Sequence, residues 1–347
     1  MTSTDTVLIC GFGIFGELHA RAWRRLDPAI RLMVADPSQA ALNRAAQLGI
    51  PAEGLSTDAT SLVGRADMVA VVAPPALHLP LALMALEAGK PVLIEKPAVT
   101  TVAEAQTLMG AIKDVPTQIG MVLRAHPLVT QAKALLASGE IGELVAIEGN
   151  FSGWKRMRAD SSLVENDGVH FLDLMRHFAG HAIEAVSASS WSRLADDVVD
   201  DIVIELDFAN RLKGRLRLGV LVAGEVEDPF MPGAVTNKRM SLVGRAGNVT
   251  IDFNQNRLIL SKVAYTRSAG GFDVKPESLE SHMAVGASPE AILAASFGVF
   301  RDAVRNGGPV LCEAAEGALE MTATVAAIAT ALQRQARETV KIEGLRS

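Results

Sequence analysis

The chain has 347 residues, 49% of them hydrophobic and 21% charged, and carries a formal net charge of −6. That length exceeds one ordinary domain, so two cores are expected, and the apolar content excludes a disordered chain. Acidic and basic residues are interspersed, with no Lys/Arg run of the kind that tracks a phosphate backbone, which argues against a nucleic-acid partner.

The two cysteines, Cys10 and Cys312, give neither a disulfide framework nor the clustered spacing of a zinc site, so no metal is expected and a reducing cytoplasm fits. The start, Met1 to Thr6, is polar, and the first apolar run, Val7 to Cys10, is too short for a signal h-region. The longest apolar stretch, Met68 to Ala88, is interrupted by Pro74, Pro75, His78 and Pro80, which suits a buried strand, a loop and a helix rather than a membrane span.

Short apolar runs alternate with helical patterns over the first 120 residues or so, the signature of a parallel sheet. Strands are expected at Thr6 to Cys10, Ile30 to Ala35, Met68 to Ala73, Pro91 to Ile94 and Thr117 to Met121. Helical periodicity covers Phe15 to Arg25, Ser38 to Leu48, Leu77 to Ala88 and Val102 to Lys113, and Gly49 and Gly89 stand where two of these should stop. After about Leu123 strand-like runs follow one another: Leu144 to Phe151, Ala185 to Trp191, Asp201 to Phe208, Leu212 to Val220, Met240 to Val243, Val249 to Phe253 and Leu258 to Val263. These predict a largely antiparallel sheet, flanked by helices at Leu128 to Ala137, Ser162 to Phe178, Pro289 to Asn306 and Glu313 to Gln335. Gly224 to Asn237 reads as a long surface loop of the sort that lies over a site or an interface. The expected fold is thus α/β: a doubly wound parallel Rossmann sheet over residues 1–122, then an α+β domain with a largely antiparallel sheet over 123–347.

Gly11-Phe12-Gly13-Ile14-Phe15-Gly16 directly follows the first strand and opens the first helix. In that context Gly11 makes the tight turn, Gly13 admits a pyrophosphate close to the backbone, and Gly16 lets helix and strand pack, while the helix N-terminus offers N–H groups to an anion. Asp36 ends the second strand, 20 residues after Gly16, where a carboxylate accepts hydrogen bonds from the adenosine ribose and repels a 2′-phosphate. NAD(H) is therefore expected over NADP(H), since the nearest basic residue, Arg44, stands too far along the next helix to clamp a phosphate. The alternative for Asp36 is that it helps start the helix after Pro37-Ser38. Glu95-Lys96-Pro97 closes the strand Pro91 to Ile94, at the carboxyl end where ligands of open parallel sheets bind. Pro97 biases Lys96 away from the helical region, and a lysine beside a cationic ring has a lowered pKa, suiting proton transfer or alkoxide stabilisation.

Together with Pro75-Ala-Leu-His78, Ala88-Gly-Lys-Pro91, Arg124 and Pro127, Ser138-Gly-Glu-Ile-Gly142, Asp167-Gly-Val-His170-Phe-Leu-Asp173 and Gly244-Arg-Ala-Gly247, these motifs give a chain that resembles the glucose-fructose oxidoreductase / inositol dehydrogenase (Gfo/Idh/MocA) family over nearly its whole length. The resemblance implies hydride exchange between a nicotinamide and a hydroxyl-bearing carbon of a sugar, cyclitol or sugar derivative, in a homodimer or homotetramer. Pro74, His78 and Glu95 then join Gly11 to Gly16, Asp36 and Lys96 as cofactor-side residues, and Arg124 becomes a substrate contact. In that family a helix of the second domain carries an acid and a histidine four residues apart. Here His170 matches, but Asn166 holds the acid's position, so Asp167 or Asp173 is expected to support the ring. His170 is the first candidate for proton acceptor and Lys96 the second. Trp154, Lys155, Arg156 and Arg158 precede the His170 helix, where an aromatic face could stack on a ring and cations could hold a carboxylate or phosphate, which makes an anionic sugar derivative one hypothesis. A solvated basic loop is the other. Short-chain dehydrogenases are excluded because the only tyrosine, Tyr265, has Ala269 where Tyr-x-x-x-Lys needs lysine, and zinc alcohol dehydrogenases lack their ligands here. A catalytically silent NAD(H)-binding regulator is the competing class, encouraged only by Asn166.

Overall fold

The computed structural model describes residues 4–157 and 161–342. The chain begins with β1 (Thr6–Cys10), α1 (Ile14–Leu26), β2 (Arg31–Ala35), α2 (Gln39–Gln47), β3 (Leu55–Ser56), α3 (Thr60–Val63), β4 (Met68–Val71), α4 (His78–Glu87), β5 (Val92–Ile94), α5 (Val102–Ala111) and β6 (Thr117–Ile119). It continues with α6 (Pro127–Ala137), β7 (Leu144–Trp154), α7 (Val169–Ala179), β8 (Ile183–Trp191), β9 (Asp201–Phe208), β10 (Lys213–Gly219), β11 (Val235–Gly244), β12 (Gly247–Asp252), β13 (Arg257–Ser268), β14 (Gly271–Met283), α8 (Pro289–Asn306), α9 (Met321–Arg334) and β15 (Glu338–Thr339).

Two compact units result. Among the described residues, the first joins Thr4 to Ala125 with Ser288–Thr322; the second joins His126–Ala287 with Ala323 to Ile342. The division is therefore discontinuous, where the sequence suggested one cut after residue 122. The cause is α8, whose apolar side lies on α1: Phe297 stacks on Trp23 with ring centroids 4.4 Å apart, and both rings are buried. Aromatic stacking over that much buried area outweighs chain order in deciding which core a helix joins.

In the first unit six parallel strands run in the order β3-β2-β1-β4-β5-β6. The near-continuous apolar β1, β2, β4 and β5 are buried along almost their whole length, as strands covered by helices on both faces must be. Register puts Cys10 level with Ala35 and Val71, and Val71 level with Ile94. The residues that follow these four strands consequently emerge side by side at one sheet edge, around the point where strand order reverses between β1 and β4.

The second unit is a nine-stranded sheet, β14-β13-β12-β11-β7-β10-β9-β8-β15, antiparallel throughout except for the β7/β10 pair. Alternation of buried and part-exposed residues along β9, β11 and β12 turns one face toward α6 and α7. Glycines make that contact close: a Cβ on Gly149 of β7 would lie 3.0 Å from Phe171 of α7. The expected loop at Gly224 to Asn237 is shorter than the sequence suggested, because Val235 to Asn237 already pair with β7. Among the described residues no helix is long and apolar enough to cross a membrane.

Candidate functional site

At the edge of the first sheet, Gly11 adopts φ +99°, and a Cβ there would stand 2.7 Å from the Ala73 backbone. Only glycine lets the β1 and β4 ends come so near. A Cβ on Gly16 would fall 2.3 Å from the Gly11 carbonyl oxygen, so that residue sets how tightly α1 closes on the turn. Gly13 differs, because a Cβ on it would meet no protein atom within 4 Å and would fill only the open space over the loop. Gly13 is also the N-cap of α1 and supplies no side-chain cap, and Ile14 beside it is 93% exposed. An open cradle before uncapped helix N–H groups is what a pyrophosphate requires, so the residues present fit a dinucleotide. Phe12 contributes only its backbone there, its ring being fully buried, while Phe15 stays exposed at the edge of the crook.

Asp36 follows β2 and accepts two backbone hydrogen bonds: Phe12 N–H donates to Oδ2 at 2.7 Å and Ser38 N–H donates to Oδ1 at 2.8 Å. The bond from Ser38 N–H agrees with the reading that Asp36 helps start the turn into α2, and the bond from Phe12 N–H adds a tie to the crook that the sequence did not suggest. Arg44, read from sequence as too distant, reaches back so that Nη2 donates to the Phe12 carbonyl at 2.9 Å. That hydrogen bond links α2 to the crook.

Glu95 and Lys96 follow β5. The Glu95 carboxylate is buried and turned toward α1, where Oε1 lies 3.0 Å from His19 Nε2, and Oε2 accepts from Lys96 N–H at 3.2 Å. Glu95 is therefore an internal tie between β5 and α1, and Lys96 remains half-buried beyond it. His19, absent from the sequence reading, packs between Phe15 and Phe297 with ring centroids at 5.2 and 4.8 Å. Its signal was present in the spacing Gly16-x-x-His19, which puts the ring on the buried side of α1.

Pro74 is exposed at the end of β4, and His78, four residues on, is 1% exposed. Its two ring nitrogens face backbone carbonyls, Nε2 to Ala73 at 2.7 Å and Nδ1 to Pro97 at 2.8 Å, so the imidazole joins the β4 exit to the segment after Lys96. The Lys96–Pro97 peptide is cis. Arg124, expected at the substrate, is buried with Nη1 donating to Glu316 Oε2 at 2.6 Å and to the Leu311 carbonyl at 3.2 Å. It fastens the turn Val122–Ala125 to the segment before α9.

In the second unit the helix bearing His170 opens with a π-helical turn, Val164–Gly168, in which Val169 N–H donates to the Val164 carbonyl. The sequence pattern gave one continuous α-helix. Ser162 and Glu165 cap the turn reciprocally, and a Cβ on Gly168 would come 2.8 Å from Leu218, so the turn sits hard against β10. Because Asn166 falls inside the wider turn, its four-residue offset from His170 departs from that of a regular α-helix. Asn166 and His170 are both half-buried. Asp173 is buried on α7.

Asp167 turns elsewhere. Its Oδ2 accepts from Lys155 Nζ at 2.6 Å, with the two side chains 5% and 3% exposed. Lys155 also lies 4.3 Å from the Phe151 ring centroid, and Lys238 approaches the same ring at 4.7 Å while pairing with Asp228 at 2.7 Å. Burial pushes the Lys238 ammonium below the usual lysine range, opposed by Asp228. Two cations and two carboxylates so form a charge-balanced cluster around Phe151. Trp154, at the end of β7, is 64% exposed, and Arg156 is exposed two residues on. Arg158 lies outside the described residues.

Residues 6–121 match the oxidoreductase family with an NAD-binding Rossmann fold, and residues 129–250 match the GFO/IDH/MocA C-terminal domain. Among curated proteins the chain is 30% identical over 263 residues to inositol 2-dehydrogenase 2 of Saccharopolyspora erythraea, covering 72% of this chain and 73% of that one. It is 26% identical over 211 residues to levoglucosan dehydrogenase of Pseudarthrobacter phenanthrenivorans, spanning about half of each, 53%. Among solved structures, a levoglucosan dehydrogenase in complex with NADH superposes with a TM-score of 0.82 at 19% identity, over 98% of this chain and 100% of the other.

Proposed function

Since the chain belongs to the Gfo/Idh/MocA oxidoreductases, we propose that it is an NAD(H)-dependent dehydrogenase that exchanges a hydride with a hydroxyl-bearing carbon of a neutral sugar or cyclitol. One observation carries this reading: the open Gly13 cradle, Asp36 and Lys96 emerge at the same edge of one sheet, after β1, β2 and β5, with the β4 end between β1 and β5. Gly11 to Gly16 would hold the pyrophosphate, Asp36 the ribose, and the Pro74 and Lys96 segments the remainder. A bound nicotinamide supplies the two-electron acceptor or donor.

The chain's own residues manage the proton. His170 takes it from the substrate hydroxyl, and Lys96 hydrogen-bonds the same oxygen and stabilises the negative charge that develops on it. In reduction the two return a proton to the carbonyl oxygen. Asn166, an amide, orients the substrate without changing charge. A neutral substrate is favoured because Lys155, one of the cations in the segment before the π-turn, is already neutralised by Asp167. The names of the relatives, inositol 2-dehydrogenase and levoglucosan dehydrogenase, support the same class. Trp154, exposed and aromatic, suits stacking on a sugar ring, with Arg156 beside it. A reducing cytoplasm suits the two buried cysteines. A homodimer or homotetramer follows from the family resemblance, and sedimentation velocity checks it.

The test is a panel of inositols, hexoses, anhydrosugars and sugar acids with NAD, read as reduced-nicotinamide absorbance. Neutral polyols should turn over. Lys96→Met should abolish turnover while NAD still binds, and His170→Ala should lower kcat by at least about tenfold. No signal across the panel would remove the proposed reaction, and faster turnover of sugar acids would remove the neutral preference.

A further inference from the structure

One residue of the crook, Phe12, has both ends of its peptide environment held by side chains of opposite charge. Its N–H donates to the Asp36 carboxylate, and its carbonyl accepts from the Arg44 guanidinium. Each Asp36 oxygen already carries one backbone N–H, at 2.7 and 2.8 Å. A carboxylate oxygen has a second lone pair, so both can still take a ribose hydroxyl. Arg44 spends one N–H on Phe12 and directs Nη1 to the Ala40 carbonyl at a long 3.4 Å. A guanidinium has five N–H donors in a planar fork, so most of the fork is left over. The side chain is exposed and lies in the last turn of α2, all within the first unit.

The residue that repels a 2′-phosphate and the one best shaped to hold it are thus tethered to the same crook. We propose that Arg44 is a specificity-determining residue of the dinucleotide site: its guanidinium binds a 2′-phosphate and gives the chain measurable affinity for NADP(H) beside NAD(H). This inference rests on the dinucleotide assignment above. Asp36 sets the preference for the unphosphorylated form, and Arg44 limits how strong that preference becomes. A guanidinium meets a phosphate through two parallel charge-assisted hydrogen bonds, which is why an arginine rather than a lysine fits the role.

Titration of the intact protein with NADH and NADPH, followed by calorimetry, tests it. NADPH should bind more weakly than NADH by no more than about a hundredfold. Arg44→Met should raise the NADPH-to-NADH ratio of Kd values at least about tenfold, and Arg44→Lys should fall between. Asp36→Ala should lower that ratio, and adding Arg44→Met to it should raise it again by about tenfold, showing that the gain runs through the guanidinium. Arg44→Met weakening both dinucleotides equally, or neither, would overturn the proposal and leave Arg44 a clamp on the crook alone. Should Arg44→Met fail to fold, the Asp36→Ala and Arg44→Lys ratios decide. Wild-type protein that binds NADH but no NADPH overturns this inference only, whereas protein that binds neither overturns the cofactor reading as well.

Discussion

At the scale of single residues, two glycines of one motif do separable work. A methyl on Gly13 enters open space, so Gly13→Ala should fold with unchanged Tm yet lose dinucleotide affinity by at least about tenfold, because it occupies the anion's place. A methyl on Gly16 is driven into the Gly11 carbonyl, so Gly16→Ala should lower Tm and affinity together. Thermal melting beside calorimetry distinguishes the two, and equal effects in both variants would contradict the geometry. The motif itself was legible because its spacing and its place between strand and helix are one-dimensional facts. The partners of Asp36 and Glu95 were not. Phe12 N–H, 24 residues back in the chain, donates to Asp36, and His19, 76 residues back, faces Glu95, so only the folded path of β1 and α1 brings those partners in.

Among the elements, helix periodicity in the second half gave the right stretch and the wrong opening turn. A π-turn differs from an α-turn by one inserted residue, and Ser162 to Phe178 has enough apolar positions to satisfy either. The turn is held by the buried Lys155–Asp167 pair, and removing one member strands the other charge. Lys155→Met should therefore cost about 3–5 kcal/mol in urea unfolding. An unfolding midpoint within error of wild type would show the pair to be dispensable. Strand β14 went unseen because Gly271 to Met283 is mostly polar and exposed, lacking the alternation of a half-buried strand.

The start of α6 carries a pH dependence. His126 caps it with Nδ1 accepting from Leu128 N–H, and Nε2 faces Asn256 Oδ1. Burial lowers the His126 pKa from 6.5 to about 4, with the Asn256 contact opposing. The unfolded chain takes up a proton below about pH 6.5 while the folded ring resists it to about 4. Stability from this group is thus full above 6.5 and is lost as pH falls toward 4, by about 3 kcal/mol. His126→Asn keeps a capping oxygen and removes the titration, so the difference in unfolding free energy between pH 7 and pH 4 should shrink by roughly that amount. An unaltered pH slope in the variant would place the dependence elsewhere.

Across the whole molecule, the two fold classes were readable because each sheet announces itself through its period, near-continuous apolar runs for buried parallel strands and alternation for one-sided ones. The discontinuity was not readable, since nothing in the composition of Pro289 to Asn306 says which core that helix will cover. Phe297→Ala opens the α1/α8 seam, so it should destabilise the first unit by about 3–5 kcal/mol and weaken NADH binding. Loss of stability with full NADH affinity would show that the seam does not support the crook.

That seam also sets an order of events during synthesis. The nucleotide-binding half is translated first, yet the helix that covers Trp23 leaves the ribosome only after eight strands of the second sheet, β7 to β14, have been made. A nascent chain halted before Pro289 exposes an aromatic surface with no partner yet in existence, which is the condition under which folding intermediates recruit chaperones or stick to one another.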